Sequence, residues 1–368
     1  MRLASRLLSS SLPALALSCL AWLAPAAPAS AQPSCTGMGE HLMSWPDVSP
    51  VWQFCWLRPQ DSSGSRGSGL EIRNAYYNGH LVLKRGHVPM LNVQYVPGGC
   101  GCYRDWQDQQ VDFQADNVIT QGVYAEPDTP AQTVCDTGGS GGDIGSFNGV
   151  SAEKFADPLV LTTQFQAGWY RYTMKWKFYM DGRIQPVFGF AAVDASCVSY
   201  THRHHAYWRL DFDIDNAEND IVTETPDPGA GGGGGGGRPG PRPQVQVLAT
   251  EGRRVYNQPN LTWTVTDVGT HRGYRIVPGD ETQLAADDFS QGDLWALVYH
   301  ANEIDDGHDI GDCPVDFGPW LNDETLTGDV VIWYRTGANH LGGDLDGCHV
   351  VGPTLAPIGN WSAGGGPH

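Results

Sequence analysis

Past residue 31 the chain has no apolar run long enough to span a bilayer. That excludes an integral helical membrane protein for the bulk of the sequence. Basic residues are also scarce. The 368 residues hold 22 Lys and Arg against 41 Asp and Glu, a formal net charge of −19. Such a chain lacks the broad electrostatic footprint by which nucleic acid is bound. Acidity could attract cationic substrates, and it also keeps exported proteins in solution. Helical periodicity is almost absent, which argues against a helical bundle. No internal repeat is visible.

What is present begins with an export signal. Arg2 and Arg6 form a positive region, Leu12 to Leu23 an apolar region, and Ala29-Ser30-Ala31 a small-residue cleavage site. Cleavage would remove two arginines and take the net charge to −21. The mature chain is expected to be soluble and exported, in the periplasm or secreted. It would keep eight cysteines: Cys35, Cys55, Cys100, Cys102, Cys135, Cys197, Cys313 and Cys348. An even count in an exported chain favours disulfides. Cys100-Gly-Cys102 could instead form a thiolate metal site. Cys313 and Cys348 bracket a candidate ligand region and are expected to be bridged.

Short strand-like runs separated by Gly, Asp, Asn and Pro point to an all-β fold, an antiparallel sandwich. In Tyr170 to Met180, large apolar residues at 170, 172, 174, 176, 178 and 180 alternate with Arg171, Thr173, Lys175, Lys177 and Tyr179. Asp181-Gly182 then supplies a hairpin turn, and Ile184 to Phe190 returns as the partner strand. The residues facing away from Tyr170, namely Trp169 and Arg171, are expected on the opposite face. Residues 226–243, with seven consecutive glycines, read as an inserted loop within one domain.

Residues 201–215 read Thr-His-Arg-His-His-Ala-Tyr-Trp-Arg-Leu-Asp-Phe-Asp-Ile-Asp. The stretch is rich in aromatic and branched residues, so it is expected to form a β-strand. Strand alternation puts His202 and His204 on one face, spaced as neighbouring ligands of one metal. Asp211 and Asp213 have the opposite parity and form a pair of hard oxygen donors. Imidazole suits copper, zinc or iron, whereas carboxylates suit calcium, magnesium or manganese. Taken alone, a His-x-His is more often a histidine-rich surface strand, here ending in solvated acids, than a metal site.

The strand resembles the copper-binding strand of copper amine oxidases. His204 is followed at the family spacing by Arg209-Leu210-Asp211-Phe212-Asp213. Gly328 to His340, which ends in Trp333-Tyr334-Arg335-Thr336-Gly337-Ala338-Asn339-His340, is similar to the family's segment carrying the third copper ligand. The resemblance implies His340 as that ligand. It also implies a peripheral calcium-type site made by Asp211, Asp213 and Asp329 with the carbonyls of Phe212 and Val330. Weaker likenesses at Gly69-Leu70-Glu71-Ile72, Trp263-Thr264-Val265 and Leu294-Trp295 extend it over residues 66–352 as one catalytic β-sandwich. Residues 32–65 are left as an N-terminal extension and 353–368 as a tail. The resemblance is to the catalytic β-sandwich only, and the smaller N-terminal domains usual in the family are not expected in residues 32–65.

In the family a tyrosine beside the copper becomes topaquinone. The resemblance places it at Tyr170, in Trp169-Tyr170-Arg171-Tyr172. Trp169 stands where the family has Asn, and Arg171 where it has an acidic residue. The catalytic base falls in Cys102 to Asp108, at Asp108 or Asp105, though the family motif is not reproduced there. The implied reaction is oxidative deamination of a small primary amine by dioxygen, yielding aldehyde, ammonia and hydrogen peroxide. A homodimer is also implied. Other readings stay open: a copper-binding homologue that forms no quinone, or a copper or zinc site that acts through its histidines directly.

Overall fold

The structure, a computed structural model, describes residues 32–64, 69–104, 124–125, 135, 150–167, 169–192, 195–226, 244–279, 292–307, 314–344 and 348–362. Within them two large, almost wholly antiparallel sheets pack face to face as a sandwich. The first sheet runs from His41–Trp45 through Trp52–Leu57, Glu71–Tyr77, His80–Tyr95, His202–Phe212, Val330–His340 and Leu294–Val298 to Gly252–Arg254. Two adjacent middle strands, His202–Phe212 and Val330–His340, carry or border the candidate ligands. The second sheet runs from Gln246–Val247 through Asp220–Thr225, Thr262–Asp267, Gly273–Val277, Thr354–Ile358, Ile184–Ala192, Tyr170–Phe178 and Leu159–Ala167 to Val150–Lys154 and Tyr124–Ala125. Among the described residues no helix is long and apolar enough to cross a membrane.

Alternation along the strands builds the core. From the second sheet Tyr170, Tyr172, Met174, Trp176 and Phe178 point inward, and all are buried. From the first, Ala206, Trp208, Leu210 and Phe212 meet them. Trp176 and Trp208 lie edge to face across the sandwich, 5.3 Å between ring centroids. Such aromatic pairs add stability beyond their buried area. The odd-numbered residues of the same strand face outward, where Tyr207 joins a second apolar cluster with Trp295, Phe317 and Trp333.

The hairpin after the quinone-candidate strand forms where expected, but the strand ends at Phe178. Tyr179 and Met180 are drawn into the turn, closed by Tyr179 N–H donating to the Arg183 carbonyl at 2.9 Å. Gly182 adopts φ +88°, and a Cβ there would lie 2.5 Å from the Tyr77 ring, so the position favours glycine for both reasons. Trp169 is a turn residue preceding the strand, so strand alternation does not govern it. Contrary to the expected outward placement, it packs against the main core.

Disulfides join Cys35 to Cys55, Cys100 to Cys197 and Cys135 to Cys348. Cys102 is also disulfide-bonded, so Cys100-Gly-Cys102 is not a thiolate metal site. The expected pairing of Cys348 with Cys313 is overturned. Cys348 borders a short strand, His349–Val351, that pairs with Ile184–Ala192, and there it meets Cys135 over Gly189. Cys313 lies outside the described residues. The Cys100–Cys197 bridge ties down the loop immediately before His202.

A buried ionic cluster braces the first sheet. Glu71 is fully buried and accepts hydrogen bonds from the Ser62 hydroxyl, at 2.8 Å, and from the Ser63 N–H, at 2.6 Å. It also pairs with Arg73 and, at 3.3 Å, with Arg85. Burial alone would raise its pKa; neighbouring His87, Arg73, Arg85 and the Ser63 N–H bring it down to about 2. His87 is itself held at about 3, chiefly by burial, so at neutral pH the arginines carry the effect. A depressed acid contributes stability above its unfolded pKa and loses it as pH falls through the folded value. The contribution of Glu71, about 3 kcal/mol, should therefore be lost between about pH 4.5 and 2, on top of the loss from charging buried His87 as pH falls below about 6.5. Denaturant melts of Glu71→Gln should show a lower stability at neutral pH and a shallower acid loss. Parallel curves for variant and wild type would contradict this.

Candidate metal centre and its tyrosine

Two neighbouring strands of the first sheet bring the three histidines together. In the antiparallel register His202 lies directly opposite His340, and His204 is two residues along on the same face. All three are buried, at 3%, 0% and 1% exposure. One nitrogen from each falls within 4.8 Å of the others. Nε2 of His202 and Nδ1 of His340 approach to 2.9 Å.

The second nitrogen of each ring is engaged elsewhere. His202 Nδ1–H donates to the Tyr200 carbonyl at 2.6 Å. His340 Nε2–H donates to the Asp344 carbonyl. His204 Nδ1 meets the Tyr172 hydroxyl at 3.0 Å. The carbonyl contacts fix the tautomers of His202 and His340, and all three contacts hold the ring orientations, as outer partners do in metal sites. They leave His202 Nε2, His204 Nε2 and His340 Nδ1 to converge. His204 Nε2 is buried with no hydrogen-bond partner among the described residues. A buried, orphaned imidazole nitrogen is costly unless a ligand takes it.

Burial is also the main cause that lowers the three pKa values. His202 is brought to about 4, its carbonyl contact with Tyr200 opposing and His340 and His349 adding to the fall. His204 is driven well below the ordinary histidine value, and His340 is lowered. All three are therefore neutral near pH 7, the form that binds metal. Three neutral imidazoles in a sealed site suit copper or zinc. The residues present fit the copper that the sequence resemblance implies.

Tyr170 reaches the same point from the opposite sheet. Its hydroxyl contacts His202 Nε2 and lies 3.4 Å from His340 Nδ1. Its ring stands edge-on to His204, 4.5 Å away. Around them, Phe190 packs on His204 at 3.8 Å and Tyr95 stacks on His202 at 4.6 Å. Trp169 donates its indole N–H to the Tyr95 hydroxyl at 3.3 Å, and its ring lies 6.4 Å from that of Tyr170. Arg171 points to the other face, and its guanidinium donates to the Tyr170 carbonyl at 3.0 Å.

The carboxylate trio assembles as well. Oxygens of Asp211, Asp213 and Asp329 lie within 4.8 Å of one another. Phe212 and Val330 sit opposite each other in the strand register beside them. One oxygen each of Asp211, Asp213, Asp329 and Asp220 is buried without a hydrogen-bond partner among the described residues. Asp211 is raised to about 6 by burial, opposed by Arg209. Asp213 is raised to about 7 by burial and then by Asp211 and Asp329. The cluster lies on the opposite face of the ligand strand from the histidines. Asp105 and Asp108, the candidate bases, lie outside the described residues.

Sequence reading did not find Tyr172, Asp220, or the carbonyls of Tyr200 and Asp344. Tyr172 shares the inward parity of Tyr170 and was the most accessible of these. The carbonyls carry no residue-type signal at all.

A β-sandwich thus buries three convergent histidines from adjacent strands, able to hold a metal ion, with a tyrosine hydroxyl from the facing sheet against them. The description "Copper amine oxidase, enzyme domain" matches residues 149–346. The chain belongs to the copper amine oxidase family. No curated protein sequence matches it. Among solved structures, a copper-containing benzylamine oxidase from Hansenula polymorpha superposes with TM-score 0.59 at 14% identity, covering 93% of this chain and 63% of that one. The lysyl oxidase PPLO of Pichia pastoris gives 0.56 at 16%, covering 84% and 51%. An Aspergillus nidulans amine oxidase gives 0.56 at 17%, covering 84% and 50%. At these identities the likeness is one of fold. The chain spans between half and under two thirds of those proteins.

Proposed function

We propose that this protein is an exported copper amine oxidase that deaminates primary amines through a quinone derived from Tyr170. The observation that carries the proposal is the placement of the Tyr170 hydroxyl against His202 Nε2 and near His340 Nδ1, the nitrogens turned toward the metal position. A tyrosine packing only for its bulk has no need of that contact. His202, His204 and His340 would hold copper. Copper there supplies redox chemistry with dioxygen, and the tyrosine-derived quinone supplies an electron sink for the amine.

The remaining work belongs to ordinary side chains. Tyr172 holds the His204 ring, Tyr95 and Phe190 exclude water from the imidazoles, and a carboxylate must take a proton from the amine's α-carbon. Asp108 or Asp105 remains our candidate for that base. Disulfides fit an oxidising compartment, which agrees with the signal-like N-terminus. The competing reading, a copper-binding homologue without a quinone, is favoured by Trp169 and Arg171 standing where the family has Asn and an acid. Oxygen consumption and peroxide release on adding benzylamine, methylamine or a diamine to copper-loaded protein should decide between them. No turnover with any of the three, with copper bound, would favour the quinone-less reading.

We further assign the trio of Asp211, Asp213 and Asp329, with the Phe212 and Val330 carbonyls, to a structural calcium-type cation. Calcium should raise the melting temperature of the wild type and leave Asp213→Ala unchanged, because a ligand stabilises only the state that binds it. Asp211 and Asp213 titrate near 6 and 7, so binding must displace protons. The calcium effect should therefore shrink as pH falls from about 8 to about 6. An equal thermal shift in wild type and variant would sink the assignment.

A further inference from the structure

A second constellation lies immediately outside the histidine triad. Oxygen or nitrogen atoms of His340, Asp344 and His349 fall within 4.8 Å of one another. His349 Nε2 is 3.3 Å from an Asp344 carboxylate oxygen, and the two side chains are 26% and 31% exposed. The triad itself is sealed. His340 belongs to both groups, with Nδ1 turned toward His202 and Nε2 toward the Asp344 backbone. The His340 and His349 rings are 5.0 Å apart.

The fold holds this outer group in place. His349 lies opposite Phe190 in the strand register, and their rings stack at 5.1 Å. Phe190 packs with its ring against His204 on the inner side. The Cys135–Cys348 disulfide anchors the residue next to His349. One phenyl ring thus separates an inner imidazole from an outer one, and one histidine spans the two groups.

We propose that Asp344, His349 and the outward edge of His340 form a second, solvent-facing site for a divalent transition metal, at which copper is captured before it moves to His202, His204 and His340. An imidazole pair with one carboxylate suits Cu²⁺ or Zn²⁺ and would not select Ca²⁺ or Mg²⁺. In the outer position the ion takes His340 Nε2 in place of the Asp344 carbonyl, and the ring proton moves from Nε2 to Nδ1. When the ion moves inward, the proton returns to Nε2, which donates to that carbonyl again, and Nδ1 becomes the ligand. The outer site stands on its own geometry; its role as a relay rests on the inner triad being the copper centre.

The test is equilibrium dialysis and stopped-flow loading of metal-free protein with Cu²⁺ buffered by glycine. Wild type should bind copper in a tight class and, with the inner site filled, in a weaker class held by Asp344 and His349. His349→Ala should keep the tight class, lose the weaker one, and fill the tight site at least about tenfold more slowly at limiting copper. His204→Ala should lose the tight class and keep the weaker one. Asp344→Asn should weaken the outer class in the same direction, which guards against misfolding of His349→Ala. Identical stoichiometry and loading rates in wild type, His349→Ala and Asp344→Asn would overturn the proposal. So would a wild type that binds one ion and a His204→Ala that binds none, while leaving the inner centre intact. A wild type that binds no copper would instead remove the inner centre on which the relay depends.

Discussion

Alanine in place of His204 should abolish tight copper binding. The ring is fully buried, its Nδ1 is held by Tyr172, and its Nε2 is unsatisfied among the described residues. Deleting it removes one of three ligands and leaves a cavity beside Phe190 that no other described imidazole faces as closely. Loss of an outer partner of a metal-bound histidine already costs about 10- to 100-fold in affinity. Loss of the ligand itself should exceed that. Tyr172→Phe provides the graded comparison, since it keeps the ligand and removes only the hydroxyl that orients it. Metal analysis after dialysis should rank wild type above Tyr172→Phe, and both above His204→Ala. Stoichiometric tight copper in His204→Ala would contradict the assignment.

Tyr170→Phe should have the opposite signature. The ring is inward-facing and buried among Tyr172, Phe190 and His204, so the phenyl fills the same space. Copper should still bind, because all three imidazoles remain and keep their outer partners. What disappears is the hydroxyl against His202, and with it the precursor of the quinone. Amine-dependent oxygen uptake should fall to background, while copper content and melting temperature change little. A variant that retains turnover would place the reactive group elsewhere. A variant that loses copper as well would mean that the Tyr170 hydroxyl helps hold the metal.

The sequence made some of this architecture readable because strand geometry is periodic. Two-residue alternation was enough to put His202 with His204 and to set Asp211 on the other face. The same rule put Tyr170, Tyr172, Trp176 and Phe178 together in the core. Resemblance in spacing supplied His340 and Asp329, and the strand register brings both to their partners. What alternation could not reach was anything that depends on which strands become neighbours. Cys348 pairs with Cys135 across a sequence separation of 213, because a short strand docks beside Gly189. The contact of Tyr172 with His204 spans the two sheets. Trp169 fell one residue before the strand, so its side chain followed turn geometry. His349 drew no attention because its meaning lies in its distance from His340. Each of these is a fact of tertiary adjacency, to which local periodicity is blind.

The central claim is that Tyr170 becomes a quinone beside copper, and its most direct test is the colour and carbonyl reactivity of the wild-type protein. Metal-free protein loaded with copper in air should develop a visible absorption band and then react stoichiometrically with phenylhydrazine, the label mapping to the peptide that contains Tyr170. A copper-loaded protein that stays colourless and unreactive would contradict the amine oxidase account and leave a copper-binding member of the family in its place.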